Sequence, residues 1–278
     1  MRQHTMKIKT RQHSSLPHNT KKLIFASCQT KGHCTMYSLF VKEINSFLSS
    51  LIGYLVIAVF LLINGLFLWV FPTDFNIFSF GYANLDGLFI LAPFVFLFLV
   101  PAVTMRSFAD EKKSGTIEML LTKPLTDLQI IMAKYLAGLT LVLFSLLPTL
   151  IYFFTVYRLG LPPGNLDSGG IWGAYLGLFF LGAAFVAIGL FSSSITDNQI
   201  LAFILAVVIS GFTYTGFEFI NSLSWFGKFD LFIKQLGIAA HYSSISRGVI
   251  DTRDLLYFIS LIALFISFTK LSLASRKW

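Results

Sequence analysis

Few side chains in this sequence are equipped for chemistry, and they gather in three places. The first is the N-terminus, where His33, Cys28 and Cys34 could ligate a metal. No Cys-x-x-Cys or histidine pair stands there at zinc spacing, so the group is a poor metal site. The second is His241, the single histidine beyond residue 35. One imidazole without a Ser/His/Asp set or a His-Glu-x-x-His helix does not argue catalysis. Nearby Gly227-Lys228 resembles the end of a phosphate-binding loop, but it lacks the upstream glycine and the following hydroxyl. The chain therefore cannot cradle a nucleotide phosphate in the P-loop manner. The third place is the segment 106–134, RSFADEKKSGTIEMLLTKPLTDLQIIMAK. Its chemistry is that of docking: Glu118 is the one acid within the apolar run Ile117, Met119, Leu120 and Leu121. An apolar and acidic knob of this kind is shaped for a partner surface.

The elements that must position this knob are well marked. A helix entering the segment stops at Ser114-Gly115, directly after the basic turn Lys112-Lys113, which is a good helix C-terminus. A short apolar turn, Thr116–Leu121, follows, and Lys123-Pro124 breaks it. Thr126 and Gln129 then form a capping box, with Leu125 and Ile130 as the hydrophobic staple and Asp127 complementing the helix dipole. The segment thus reads as a helix, short helix, helix elbow.

The rest of the chain says what the elbow projects from. The 278 residues are 55% hydrophobic and 12% charged, against about 25% charged in soluble domains. Six apolar runs stand out: Leu51–Phe71, Leu88–Met105, Tyr135–Tyr157, Ile171–Phe191, Gln199–Phe219 and Leu255–Thr269. Each approaches the ~20 residues needed to cross a bilayer as a helix. They run without the alternation a strand would show. The fold class is therefore an all-α integral membrane protein with six transmembrane helices. Before the first run, residues 37–50 place Leu39, Phe40, Ile44, Phe47 and Leu48 at helical spacing, with Lys42 and Glu43 between them. This predicts an N-terminal helix lying in the interface. Residues 220–254 are rich in Trp225, Phe226, Phe229, Leu231 and Phe232, which predicts one or two short helices half-sunk in the opposite interface.

Charge sets the orientation. Residues 1–35 hold seven of the 21 basic side chains and no acid. They read as a disordered basic extension, 1–35, upstream of Met36 as the true start, with 36–278 as the membrane domain. The basic excess lies in that extension, so it argues no nucleic acid partner for the body. Basic residues of the body favour the segments on the side of the N-terminus, which predicts that both termini are cytoplasmic.

The run Glu111-Lys-Lys-Ser-Gly115-Thr116-Ile-Glu118-Met-Leu-Leu121-Thr-Lys-Pro124, with Lys134 downstream, resembles the signature of type-2 ABC transporter permeases. Lys42 and Glu43 match the Lys-Glu pair on that family's interfacial helix. The stretch from His241 through Arg247-Gly248 to Asp251 and Asp254 narrows the resemblance to gliding-motility-associated (GldF-like) ABC permeases. The resemblance implies a type-2 ABC exporter-like permease fold in a bacterial inner membrane. It implies docking of the elbow, through Glu111, Gly115, Thr116, Glu118, Leu121 and Pro124, on a separate ABC ATPase subunit that binds the ATP. It also implies pairing with a second membrane subunit or a second copy of the chain, and no catalytic residue, cofactor or metal of the chain's own. Glu43, on the lipid-facing helix, is then expected to tolerate charge reversal better than Glu118.

Two other function classes have sequence requirements. A stand-alone secondary transporter or channel needs ionisable residues deep in the spans, which are nearly absent. A membrane-embedded enzyme needs a polar cluster at shared depth, for which Asn64, Thr213, Tyr214 and Thr215 are weak material. Glu218 reads as an interfacial carboxylate or as lining of a path.

Overall fold

The computed structural model describes residues 32–78, 84–117, 125–160, 164–222, 234–249 and 251–275, with only the backbone at 32–35 and 52. These residues are helical, with short joints. In chain order the helices are α1 (Gly32–Ser49), α2 (Leu51–Trp69), α3 (Asp86–Thr104), α4 (Arg106–Lys113), α5 (Asp127–Leu146), α6 (Leu150–Leu159), α7 (Ser168–Ile195), α8 (Gln199–Gly211), α9 (Phe217–Ser222), α10 (Ile238–Ile245) and α11 (Thr252–Ala274).

Among the described residues, five continuous stretches are long and apolar enough to cross a membrane: Asp86–Lys113, Asp127–Leu159, Ser168–Ile195, Gln199–Ser222 and Thr252–Ala274. A sixth candidate is the pair formed by α1 and α2, which meet at a 63° bend. The bend is made by Ser50, whose hydroxyl donates to Phe47 O at 2.8 Å and accepts from Gly53 N at 3.3 Å. That closes α1 and caps α2. The amphipathic stretch read as an interfacial helix is thus a separate helix turned away from the first span. It begins at Gly32, a few residues inside the predicted extension.

Two spans carry breaks that the apolar runs did not disclose. Leu147–Thr149 is a 3-10 turn between α5 and α6, where Pro148 cannot donate to the helix ladder. Phe212–Gly216 is a π-helical turn joining α8 to α9, a form that occurs mostly as single-turn bulges inside α-helices. Of the short helices expected within 220–254, α10 is one. Residues 223–233, with most of that stretch's aromatics, lie outside the described residues.

The centre of the bundle is α7, which packs against α3, α4, α5, α8, α10 and α11. Its sequence explains this. Gly173, Gly177, Gly182 and Gly189 alternate with Ala174, Ala183, Ala184 and Ala187, all of them buried. Inside a bilayer, where lipid is as apolar as leucine, helices associate by close packing, and small residues permit it. The tightest crossing is with α3. A Cβ at Gly189 would lie 2.8 Å from Thr104 Cβ and collide with its hydroxyl. Gly189→Val should therefore destabilise the bundle by about 1–3 kcal/mol through overpacking. The check is a lower apparent melting temperature in detergent. Gly65→Ala, whose new methyl would meet only the Tyr152 hydroxyl at 3.2 Å, should stay near wild type.

Candidate functional site

At the end of the bundle where α3 gives way to α4, charged groups converge under the membrane helices. Lys134 lies in the second turn of α5, just past the capping box. That box is formed as the sequence predicts: Thr126 N donates to Gln129 Oε1 at 3.0 Å, and Gln129 N to Thr126 Oγ1 at 3.4 Å. Asp127 opens the helix.

The Lys134 ammonium is 2% exposed. It donates to Glu43 Oε1 of α1 at 3.2 Å, to Glu111 Oε1 of α4 at 2.9 Å and to Ser107 O at 2.7 Å. All three N–H donors are thereby used. The ammonium also stands 5.1 Å from the centre of the Phe108 ring, within cation–π range. A buried charge persists only when paired in this way. The pairing is uneven, with two carboxylates against one ammonium, and Glu111 Oε2 is buried with no hydrogen-bond partner.

The second convergence is at Ser193, fully buried near the end of α7. The helix running from Asp86 to Lys113 is interrupted at Met105. Beyond the interruption the Phe108 and Ala109 N–H groups donate to Ser193 Oγ at 2.9 and 3.1 Å, and Ser193 Oγ donates to Met105 O at 3.0 Å. One side chain from a different helix thus satisfies both sides of the break, closing the orphan groups that a helix end exposes. Around it, Lys112 donates to Ser194 O, the Gln199 amide donates to Asp110 Oδ1, and Ser272 Oγ donates to Ser194 O at 2.9 Å. So α4 is fixed to the ends of α7 and α8, and α11 is tied to the same point.

The site residues expected from sequence are distributed as follows. Glu111 stands in the buried cluster. Gly115 ends α4 with φ of +68°, the left-handed conformation that glycine reaches most cheaply and that closes helices. Thr116 is exposed, with its hydroxyl 2.8 Å from that of Ser114. Glu118, Leu121 and Pro124 lie outside the described residues. On α1, Lys42 is exposed but Glu43 turns inward, 8% exposed. Expecting Glu43 to tolerate charge reversal therefore does not fit its position, because reversal would place a second ammonium against Lys134. Lys134 and Ser193 were not singled out as site residues. Lys134 carried a signal, a lysine one turn inside a helix that the sequence leads into the membrane. Ser193 sits in a Ser-Ser-Ser run that reads as an ordinary helix end.

The opposite end holds the single histidine beyond residue 35. His241 Nε2 lies 2.8 Å from Gln235 O, and Nδ1 lies 2.6 Å from Asp254 Oδ1. The ring stacks on Tyr257 at 3.9 Å. A carbonyl oxygen only accepts, so Nε2 carries a hydrogen. Nδ1 thus holds α10 to the start of α11 and Nε2 holds it to the segment just before α10, a structural use of the imidazole. The weakly polar residues within the spans do not converge either. Asn64 bonds to Phe60 O, Thr213 to Ile209 O and Thr215 to Gly211 O, each within its own helix. Glu218 is exposed on α9.

A family model described as ABC-2 family transporter protein matches residues 5–273, a range that takes in most of the basic extension as well as the bundle. No curated protein matches the chain closely enough to count as a relative.

Proposed function

The chain belongs to the ABC-2 transporter family, as a multi-pass membrane permease without ATPase activity of its own, and we propose that its elbow receives the stroke of a separate ATPase subunit and passes it to the bundle. ABC-2 permeases in general pair with such subunits. The observation that carries the reading is the anchoring of α4. This short helix leads directly into the elbow and is fixed to α1 and α5 through Lys134 and to α7 and α8 through Ser193 and Asp110. A push on the elbow therefore has no slack joint in which to be lost, and discrete rearrangements of packed helices can carry it inward.

Within this reading, Glu118 enters a basic groove on the ATPase. A partly desolvated ion pair there contributes more than the roughly 0–1 kcal/mol of an exposed one. Gly115, Thr116, Leu121 and Pro124 shape the knob that presents it. Both termini face the cytoplasm, in keeping with the distribution of basic residues. The partner in the membrane is a second copy or a second permease subunit. The motif from His241 to Asp254 favours a gliding-motility-associated transporter of a bacterial inner membrane.

The test is co-purification of the tagged permease with its ATPase from membranes. Glu118→Lys, which sets like charges against each other, should lose the ATPase at least tenfold while the chain still inserts. Pro124→Ala should retain most of it. Full retention by Glu118→Lys, with function intact, would remove the elbow as the docking site.

A further inference from the structure

We propose that a single proton, held between His241 and Asp254, clamps the joint ahead of α10 to the first turn of α11, and that its loss in alkaline medium opens the clamp. Three observations carry this. The first is geometric. His241 Nε2 lies 2.8 Å from Gln235 O, and Nδ1 lies 2.6 Å from Asp254 Oδ1. Both ring nitrogens thus face acceptors, and a neutral imidazole has one N–H to offer the two of them. Whether the further hydrogen sits on Nδ1 or on Oδ1, the pair holds one more than a neutral ring beside a carboxylate would. The second is burial. Asp254 is 7% exposed, its Oδ2 is buried without a hydrogen-bond partner, and His241 is its one ion-pair partner among the described residues. A buried carboxylate without a counter-charge is costly, and the imidazolium supplies that charge. The third is stacking. The Tyr257 ring lies over the imidazole with centroids 3.9 Å apart and planes at 20°, an arrangement in which an aromatic face favours a cation.

The other titratable groups around α10 are engaged elsewhere or exposed. On α11, Asp251 accepts from Arg253 N, the Arg253 side chain is exposed, and the Tyr257 hydroxyl donates to Leu236 O at 2.7 Å. The α7 helix meets α10 with Gly173 and Gly177. The π turn meets it with Tyr214, whose ring packs on Tyr242, and the Tyr242 hydroxyl donates to Phe89 O. Lys234, Arg247 and Glu218 are exposed and make no ion pair among the described residues. When the proton leaves, one N–H must serve two acceptors. The carboxylate makes the stronger bond and keeps it, so Nε2 turns a lone pair toward Gln235 O and that tie is lost. Residues 234–237 are then released from the ring, while α10 itself stays anchored by Tyr242 and by buried Ile238 and Ile245. The tie is complete in acid and is lost as the pH rises. The clamp needs no ATPase and stands apart from the elbow.

The experiment uses the whole chain in lipid nanodiscs, labelled with nitrogen-15 histidine. The His241 signals are those missing from His241→Gln. At about pH 6 both ring nitrogens should carry hydrogens, and toward about pH 9 the ring should lose one. Over the same range, amide hydrogen exchange across 234–241, read against the unfolded chain at each pH, should quicken about fivefold or more, the effect of losing one hydrogen bond. Amides in the middle of α7 should not follow. Asp254→Asn separates the proton from mere packing. Its amide N–H can donate to Nδ1 while Nε2–H still donates to Gln235 O, so a neutral ring satisfies both sides and protection should stay flat with pH. His241→Gln, which has no titrating ring, should also be flat. If one variant does not elute as a monodisperse species, the other decides. Wild-type protection across 234–241 that ignores the loss of the ring proton would overturn the proposal. A step like the wild type's in either variant would overturn it too, by showing that another group titrates.

Discussion

Lys134→Gln should destabilise the bundle by about 3–5 kcal/mol, the usual effect of removing one partner from a buried ion pair. The reason lies in what remains. Glu43 and Glu111 both point at the ammonium from within 3.2 Å and are themselves largely buried. An amide of similar size can donate two hydrogen bonds but brings no charge, so the two carboxylates would face each other across it. The loss should appear as a sharply lower temperature at which the detergent-solubilised chain leaves the monodisperse peak after heating. A second substitution isolates the cause. Adding Glu111→Gln to Lys134→Gln removes one of the opposed charges, so the double variant should be more stable than Lys134→Gln alone. Residues in contact are where additivity fails in this way. If Lys134→Gln melts with the wild type, the cluster is not formed. Glu43→Lys should be at least as damaging, because it puts two ammonium groups in one buried space.

Ser193→Ala should act at the other anchor. It takes the acceptor from the Phe108 and Ala109 N–H groups and the donor from Met105 O, each worth about 1–3 kcal/mol when a buried group is left unsatisfied. The strain falls on the joint between the membrane helix α3 and the elbow helix α4, while the rest of the bundle keeps its contacts. Amide hydrogen exchange reads this directly. Protection at Phe108 and Ala109 should fall by about tenfold or more, a factor that corresponds to ~1.4 kcal/mol, while amides in the middle of α7 stay protected. Ser193→Thr keeps the hydroxyl and should recover most of the protection. In the complex, ATP hydrolysis should continue under Ser193→Ala but lose its dependence on the permease. Unchanged exchange at Phe108 and Ala109 would show that the joint is held by something other than Ser193.

What could be read from the chain beforehand divides along one physical line. The capping box at Thr126 and Gln129, the stop at Gly115 and the run of helix to Lys113 are set by residues within a turn of one another, so the sequence discloses them. The apolar runs were legible because lipid demands nearly continuous hydrophobicity. The two buried anchors were not. Glu43 and Lys134 are separated by 91 positions and Ser193 and Phe108 by 85, and only the crossing of helices brings them together. Glu43 misled for the same reason: an acid on an amphipathic helix reads as facing water until another element supplies its counter-ion. The π turn at Phe212–Gly216 had a faint trace in Thr213-Tyr214-Thr215, whose Tyr214 packs against Phe94, Phe185 and Tyr242. Pro148 was in plain view inside an apolar run, but hydropathy averages over a single proline.

The central position of α7 bears on how the protein is made. A ribosome delivers the chain from its N-terminus at about 5–20 residues per second, so α1 to α5 emerge well before residue 168. Those helices can already pair with one another, as α2 does with α3 and α1 with α5. Until α7 arrives, however, the glycine-lined surface against which α3 and α5 close is missing, and Phe108 and Ala109 wait without Ser193. The early helices are therefore held in the membrane as a loose, incomplete set. They set into a bundle only when the 28 residues of α7 enter among them, with α8 and α11 closing around it afterwards. A nascent chain stopped before residue 195 should be the form most readily recognised and removed by membrane quality control.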